Sequence, residues 1–324
     1  MDIAPIALDG LDHVGSGLKR PECVIATRKG DLYVSDRRGG VTRIARDGST
    51  QTFLPTPGSL DVTLHPNGIA LERAGSFLIA HLADDFGGVF RLFRDGKVEK
   101  VLDRVDGKTL PAVNFVLVDK QERIWVTIST RRQPRGVSYR PDIADGFVIL
   151  IDKKGARIVA DDIGFTNEVR LDEAERELTV VETFGRRLLR FDIGADGGLS
   201  KRRVIAEFGA GTFPDGIALD QEGAVWVTSV VSNRVLRVTR DGKIHQLLED
   251  ADPEHLEWVE KAFRAGTMGR AHIDQIKSST LKSIASIAFG GPDLRTAYLG
   301  NLLGENLPCF KSPVPGLPMA HWAW

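Results

Sequence analysis

The stretch Thr212–Val238, TFPDGIALDQEGAVWVTSVVSNRVLRV, decides the fold. It opens on Pro214-Asp215-Gly216, passes into the apolar run Ile217-Ala218-Leu219 and turns through Asp220-Gln221-Glu222-Gly223. A second β-rich run follows at Val225-Trp226-Val227-Thr228. A third, Arg234 to Thr239, meets Asp241-Gly242, a favoured hairpin pair. With Lys243–Leu248 as a last strand, the unit is a four-stranded antiparallel meander.

The pattern recurs in phase. The polar residue opening each unit aligns as Glu22, Asn67, Asn114, Asn167 and Asp215, with Ala285 in the sixth place, at intervals of 45, 47, 53, 48 and 70 residues by subtraction. Second strands are expected at Leu32, Phe77, Ile124, Leu178, Val225 and Ala297. A Gly-bearing turn before strand four repeats as Asp47-Gly48, Asp95-Gly96, Lys154-Gly155, Asp196-Gly197 and Asp241-Gly242. One small sheet cannot bury both its faces alone, so repeats of this length predict an all-β, six-bladed β-propeller of four-stranded antiparallel blades. We expect a single propeller domain over 1–324, with residues 1–16 adding a strand to the last blade and closing the ring.

Two segments interrupt the repeat. Thr130–Asp145 is a polar, Arg- and Pro-bearing loop in unit three. Glu249–Lys282, between units five and six, switches to helical spacing: Asp252 caps, Pro253 starts, Leu256, Val259 and Phe263 share a face and Gly266 terminates. Counting strand directions places both insertions at the end of the ring where the marker residues lie. The tail, 311–324, reads as an extended Pro- and Trp-bearing segment packed on the surface.

With 43 basic and 44 acidic residues the net charge is −1, which gives no pull toward nucleic acid or a membrane surface. The N-terminus lacks a basic and apolar leader, and no run of apolar residues is long enough to span a bilayer; a soluble, cytoplasmic protein is expected. Cys23 and Cys309 are too few for a disulfide scaffold and read as two buried thiols, although first and last blades adjoin. The partner is expected to be a small molecule, and the protein a monomer or small homo-oligomer.

The markers stand on the innermost strands, so Glu22, Asn67, Asn114, Asn167 and Asp215 converge on the channel. They offer only hard oxygen donors, a set suited to one divalent cation: Ca²⁺ first, Mg²⁺ or Mn²⁺ also admissible, Zn²⁺ less natural. Asn and Asp also favour strand starts through turn chemistry, and Pro66-Asn67-Gly68 is an ordinary turn string. The seven histidines show no metal spacing, and no nucleophile elbow or phosphate loop is present.

RPECVIA, VNFVLVDKQERIWVT, TNEVRLD, FPDGIALDQEGAVWVT and SIAFGGPDLRTAYLGN resemble the senescence marker protein (regucalcin)/gluconolactonase/luciferin-regenerating enzyme-like family of six-bladed propeller hydrolases. The resemblance implies a metal-dependent lactonase with Glu22, Asn167 and Asp215 as ligands. Asn114 matches a further Asn that binds substrate in some members and metal in diisopropyl fluorophosphatase. Asp215 would be the catalytic base, and Asn67, Asn114, Phe115 and Glu168 the substrate contacts. Three departures stand out: Cys23-Val24 follows Glu22 in place of Gly-Pro, Ala112 and Phe115 flank Asn114 in place of Arg and Asp, and Glu168 replaces Gly. They suggest a less polar ring than a sugar lactone, with Trp258 and Phe263 of the inserted helix over the same face. The alternatives are an organophosphate or ester hydrolase using the same ion, and a non-catalytic calcium-binding propeller; strictosidine synthase-like propellers lack such a constellation.

Overall fold

The computed structural model describes residues 3–324. Six four-stranded antiparallel sheets follow one another in chain order as propeller blades. Their inner strands are Val24–Ala26, Pro66–Leu71, Val113–Val118, Thr166–Leu171, Phe213–Leu219 and Ile284–Gly290. Second strands start at Leu32, Phe77, Ile124 and Val225 as the repeat predicts, and at Glu177 and Thr296, one residue earlier than expected, in blades four and six. The five repeated turn glycines, Gly48, Gly96, Gly155, Gly197 and Gly242, all sit at φ between 81° and 97°, where a side chain would be strained.

The first described strand, Asp12–Val14, pairs antiparallel with Leu307–Cys309 and supplies the outer strand of blade six. The N-terminal segment therefore closes the ring, as expected. Inner strands such as Val113–Val118 are buried along their whole length because a neighbouring blade covers each face. Cys23 and Cys309 are both free and buried, and burial pushes the Cys23 thiol up to about 12.

Within blades three and five the same polar clamp repeats. Asp220 Oδ1 accepts from the turn amides of Glu222 and Ala224 at 2.9 Å, while Oδ2 accepts from Trp226 Nε1 at 2.9 Å and Arg237 Nε at 2.8 Å. Asp119 does the same for Trp125 Nε1 at 3.0 Å and Arg123 Nε at 2.6 Å. One carboxylate thus fixes the hairpin turn and anchors the indole that fills the blade interface.

The long insertion forms α1, Pro253–Arg264, with Asp252 Oδ1 accepting the His255 amide at 2.7 Å, and then α2, the single turn Ala271–Asp274, which is too short for periodicity to reveal. Asp250 pins the base of the insertion by accepting from the amides of Thr280 and Leu281 at 2.7 Å. Trp258 does not face the ring. It is 41% exposed and stacks on His272 with ring centroids 4.0 Å apart.

The tail does more than lie on the surface. Leu317 N donates to Leu219 O at 2.8 Å, and His321 Nε2 and Trp322 Nε1 both reach Ala26 O at 2.8 Å. Leu219 and Ala26 end their inner strands, so the tail crosses the channel at the end opposite the marker residues. Among the described residues no helix is long and apolar enough to cross a membrane.

Replacing Asp220 by Ala leaves the buried Arg237 and Trp226 donors without their shared acceptor and should cost about 3–5 kcal/mol, read from urea unfolding. The tail clamp is acid-sensitive. Burial lowers the His321 pKa from 6.5 to about 4, so the unfolded chain binds its proton first as pH falls. The stabilisation is therefore complete above pH 6.5 and is lost on acidification toward pH 4, a loss on the order of 3 kcal/mol. A His321→Asn protein should show a correspondingly shallower decline over that window.

Candidate active site

Each inner strand from blade two to blade six breaks register at its marker. The ladder slips between Pro66 and Ile69, Val113 and Phe115, Thr166 and Val169, Pro214 and Ile217, and Ile284 and Ser286. Each irregularity coincides with Asn67, Asn114, Asn167, Asp215 or Ala285. A bulge bends the strand and re-aims a side chain that would otherwise alternate into a blade face. Glu22 lies just before the inner strand of blade one, which begins at Val24.

Glu22, Asn114, Asn167 and Asp215 line one small, partly open cavity. The polar part of the wall is completed by Thr183, Arg20, Arg135 and Arg270, and the apolar part by Tyr139, Phe165, Phe184, Val230, Ile273 and Leu302. Arg135 and Tyr139 come from the 130–145 loop, and Arg270 and Ile273 from the long insertion. Both insertions therefore do lie at the markers' end of the ring.

Asn167 Nδ2 donates to Asp215 Oδ1 and, at 3.0 Å, to Thr183 Oγ1. Arg20 reaches Glu22 Oε2 through Nε at 3.0 Å and through a terminal nitrogen at 2.6 Å, leaving Oε1 outside the pair. Asn67 Nδ2 donates to Asn114 O at 3.0 Å. The side-chain oxygens of Asn67 and Asn114 are buried without a hydrogen-bond partner. Burial, followed by the fields of Glu22 and Glu168, holds Asp215 well above the usual carboxylate range.

Buried acceptors lacking donors, beside carboxylates that repel one another, need positive charge. The donor set fits a hard divalent cation: two carboxylates and carboxamide oxygens, with no His or Cys. No group of three or more His, Cys, Asp or Glu side chains gathers as a metal site among the described residues.

Three expected substrate contacts do not line this cavity. Phe115 is 2% exposed in the apolar core, with the Arg170 guanidinium 4.9 Å from its ring centre. Glu168 is buried, pairs with Arg170 at 2.8 Å and accepts the Ile217 amide at 3.1 Å. Burial is also the main cause that raises its pKa to about 7. Asn67 is buried against Asn114. Phe115 and Glu168 each follow a marker and are turned toward the neighbouring blade, so position beside a marker does not mean position in the cavity. With Phe115 in the core and three guanidinium groups in the wall, the expectation of a less polar ring loses its basis.

Sequence reading missed Arg20, Arg135, Tyr139, Thr183 and Arg270. Arg20 stands two positions before Glu22, and the polarity of the 130–145 loop was the only local sign of Arg135.

A family model described as the SMP-30/gluconolactonase/LRE-like region matches residues 20–250, well over half of the chain and including Glu22, Asn114, Asn167 and Asp215. The chain belongs to this family. Among its relatives, a 6-deoxy-6-sulfogluconolactonase of Pseudomonas putida is 27% identical over 285 residues, covering 86% of this chain and 81% of that protein. A gluconolactonase from Xanthomonas campestris superposes with a TM-score of 0.65 at 20% identity, over 93% of this chain and 88% of the other. A calcium-binding protein, regucalcin, from Agrobacterium tumefaciens superposes at 0.63 with 16% identity, over 98% and 97%. At such identities the two structures share the fold.

The apolar side of the cavity is held from behind by α1. Phe184 and Phe213 pack on Phe263, and Arg186 lies 4.3 Å and 4.2 Å over the Phe213 and Phe263 rings. Glu260 pairs with Arg186 and accepts the Gly211 amide at 2.7 Å. Glu260→Ala should cost about 3 kcal/mol and speed limited proteolysis within 250–282, because the helix loses both moorings.

Proposed function

We propose that the protein is a lactonase, a hydrolase that opens a cyclic ester with the help of one divalent cation, Ca²⁺ in the first instance. The observation that carries this reading is the convergence of four oxygen-bearing marker side chains, from four blades, in a single cavity of a protein belonging to the gluconolactonase-like family. Relatives named as a sulfogluconolactonase and a gluconolactonase support the reaction class, and the relative named as calcium-binding supports the choice of ion.

In this reading Glu22, Asn167, Asp215 and Asn114 would hold the ion. When bound, the cation supplies Lewis-acid polarisation of the ester carbonyl and stabilises the negative charge that develops on its oxygen. Asp215 takes a proton from water as the water oxygen bonds to the carbonyl carbon, and returns it to the ring oxygen when the ring C–O bond breaks. The product is the open hydroxy acid. Asn167, held by Thr183 Oγ1 and the Asp215 carboxylate, fixes the orientation of that base. The wall formed by Tyr139, Phe165 and Phe184 limits water around the reacting carbonyl.

Chelation should abolish lactone hydrolysis, and added Ca²⁺ should restore it. Asp215→Ala should lower kcat at least 10²–10³-fold and reduce bound metal measured by elemental analysis. An Asp215→Ala protein retaining both its metal and its lactonase rate would sink the assignment.

A further inference from the structure

Next to the cavity lies a wider basin, and the two share Arg20, Arg135, Tyr139 and Arg270 as wall. Arg37 also lines the basin. These four arginines come from well-separated places: Arg20 before the first inner strand, Arg37 after the second strand of blade one, Arg135 in the 130–145 loop and Arg270 ahead of α2. Tertiary structure alone gathers them. Burial, then the like charges of Arg20, Arg270 and Arg135, lowers the pKa of Arg37, against the opposing field of Glu22.

Many guanidinium groups of this nearly neutral chain are paired, among them Arg38 with Asp36, Arg91 with Glu72, and Arg203 with Glu177 and Asp192. In the basin the pairing is incomplete. Arg20 is matched by Glu22 and Arg270 by Asp274 at 2.8 Å. The guanidinium groups of Arg37 and Arg135 have no carboxylate partner among the described residues. Asp84 and Asp85 line the same basin, but Asp84 accepts the backbone amide of Arg135 at 3.3 Å and Asp85 that of Phe86 at 3.0 Å. Asp84 and Asp85 keep their charge, but neither is an ion-pair partner of Arg37 or Arg135, and this leaves those two guanidinium groups available to an anionic ligand. Guanidinium forks match the oxygens of sulfonate, phosphate and carboxylate groups.

Building on the lactonase reading, we propose that the substrate is a lactone bearing an anionic substituent, which Arg37 and Arg135 bind while the ring ester lies against Asn114, Asn167 and Asp215. The substituent chemistry is an oxyanion; sulfonate, phosphate and carboxylate are its sources.

The test compares neutral glucono-δ-lactone with gluconolactones carrying a 6-sulfonate, a 6-phosphate or a 6-carboxylate, on the Ca²⁺-loaded protein. At least one charged lactone should exceed the neutral one in kcat/KM by tenfold or more, with a preference that shrinks as ionic strength rises. Arg135→Gln and Arg37→Gln should each cut the charged-to-neutral ratio about tenfold, mainly through KM, and Arg135→Lys should restore part of it. Calorimetry supplies a second readout: the corresponding open-chain 6-sulfonated or 6-phosphorylated acids should bind the chelated protein at least tenfold more tightly than gluconate does, and Arg135→Gln should remove that difference. Equal treatment of charged and neutral lactones, with the Gln variants affecting both alike, overturns the anion subsite and leaves the lactonase reading standing. Arginine-dependent binding of the charged acids with no lactone opened under any divalent cation has the opposite consequence. Absence of both binding and preference removes the subsite outright.

Discussion

The structure depends on how closely six inner strands approach one axis. Backbone meets backbone there, and the bulges at the markers make the meeting workable. Ile69 N donates to Cys23 Sγ at 3.4 Å, and Ile217 N to the Glu168 carboxylate at 3.1 Å, so that in two places the residue after one marker satisfies an amide freed by the bulge in the next blade. Ser286 Oγ donates to Glu22 O across the seam between the last blade and the first. Where the position after the marker is glycine, the reason is space. A Cβ on Gly216 would lie 2.4 Å from Ala285 O, and one on Gly68 2.6 Å from Phe115 Cα. In blades three, four and five the bulge also presents its marker, Asn114, Asn167 or Asp215, to the cavity.

Around that ring the chain treats the two ends of the channel differently. At one end the tail crosses the strand termini, with the His321 and Trp322 side chains meeting the Ala26 carbonyl. At the other, two insertions rise from loops after second and fourth strands and enclose the polar markers on an apolar side and a cationic side. The rigid ring sets the spacing of the oxygen donors, and the insertions set which molecules reach them.

The polar interior is economical in its compensation. Glu168 has Arg170 and a backbone amide, and Asp220 has two side-chain and two backbone donors. The markers are treated otherwise: Asn67 and Asn114 keep unpartnered oxygens, and Asp215 is held above its ordinary range. Buried polar groups left in this condition cost stability, and two of them, Asn114 and Asp215, share the cavity wall.

The repeat, the strand starts, the closing N-terminal strand and the marker positions were legible in the linear chain, because each is fixed by local pattern: period-two apolar runs, glycine turns and equal spacing. Glu22, Asn114, Asn167 and Asp215 could be brought to one cavity on paper because a propeller converts equal spacing into convergence. Only the folded chain decided that Phe115 and Glu168 turn away from the cavity, since a bulge reverses the side on which a neighbouring residue falls. Only it gathered Arg20, Arg37, Arg135 and Arg270, which follow no period and lie on separate segments. Periodic positions obey a symmetry that sequence can express, whereas contacts between irregular loops arise from packing over distances that no local pattern encodes.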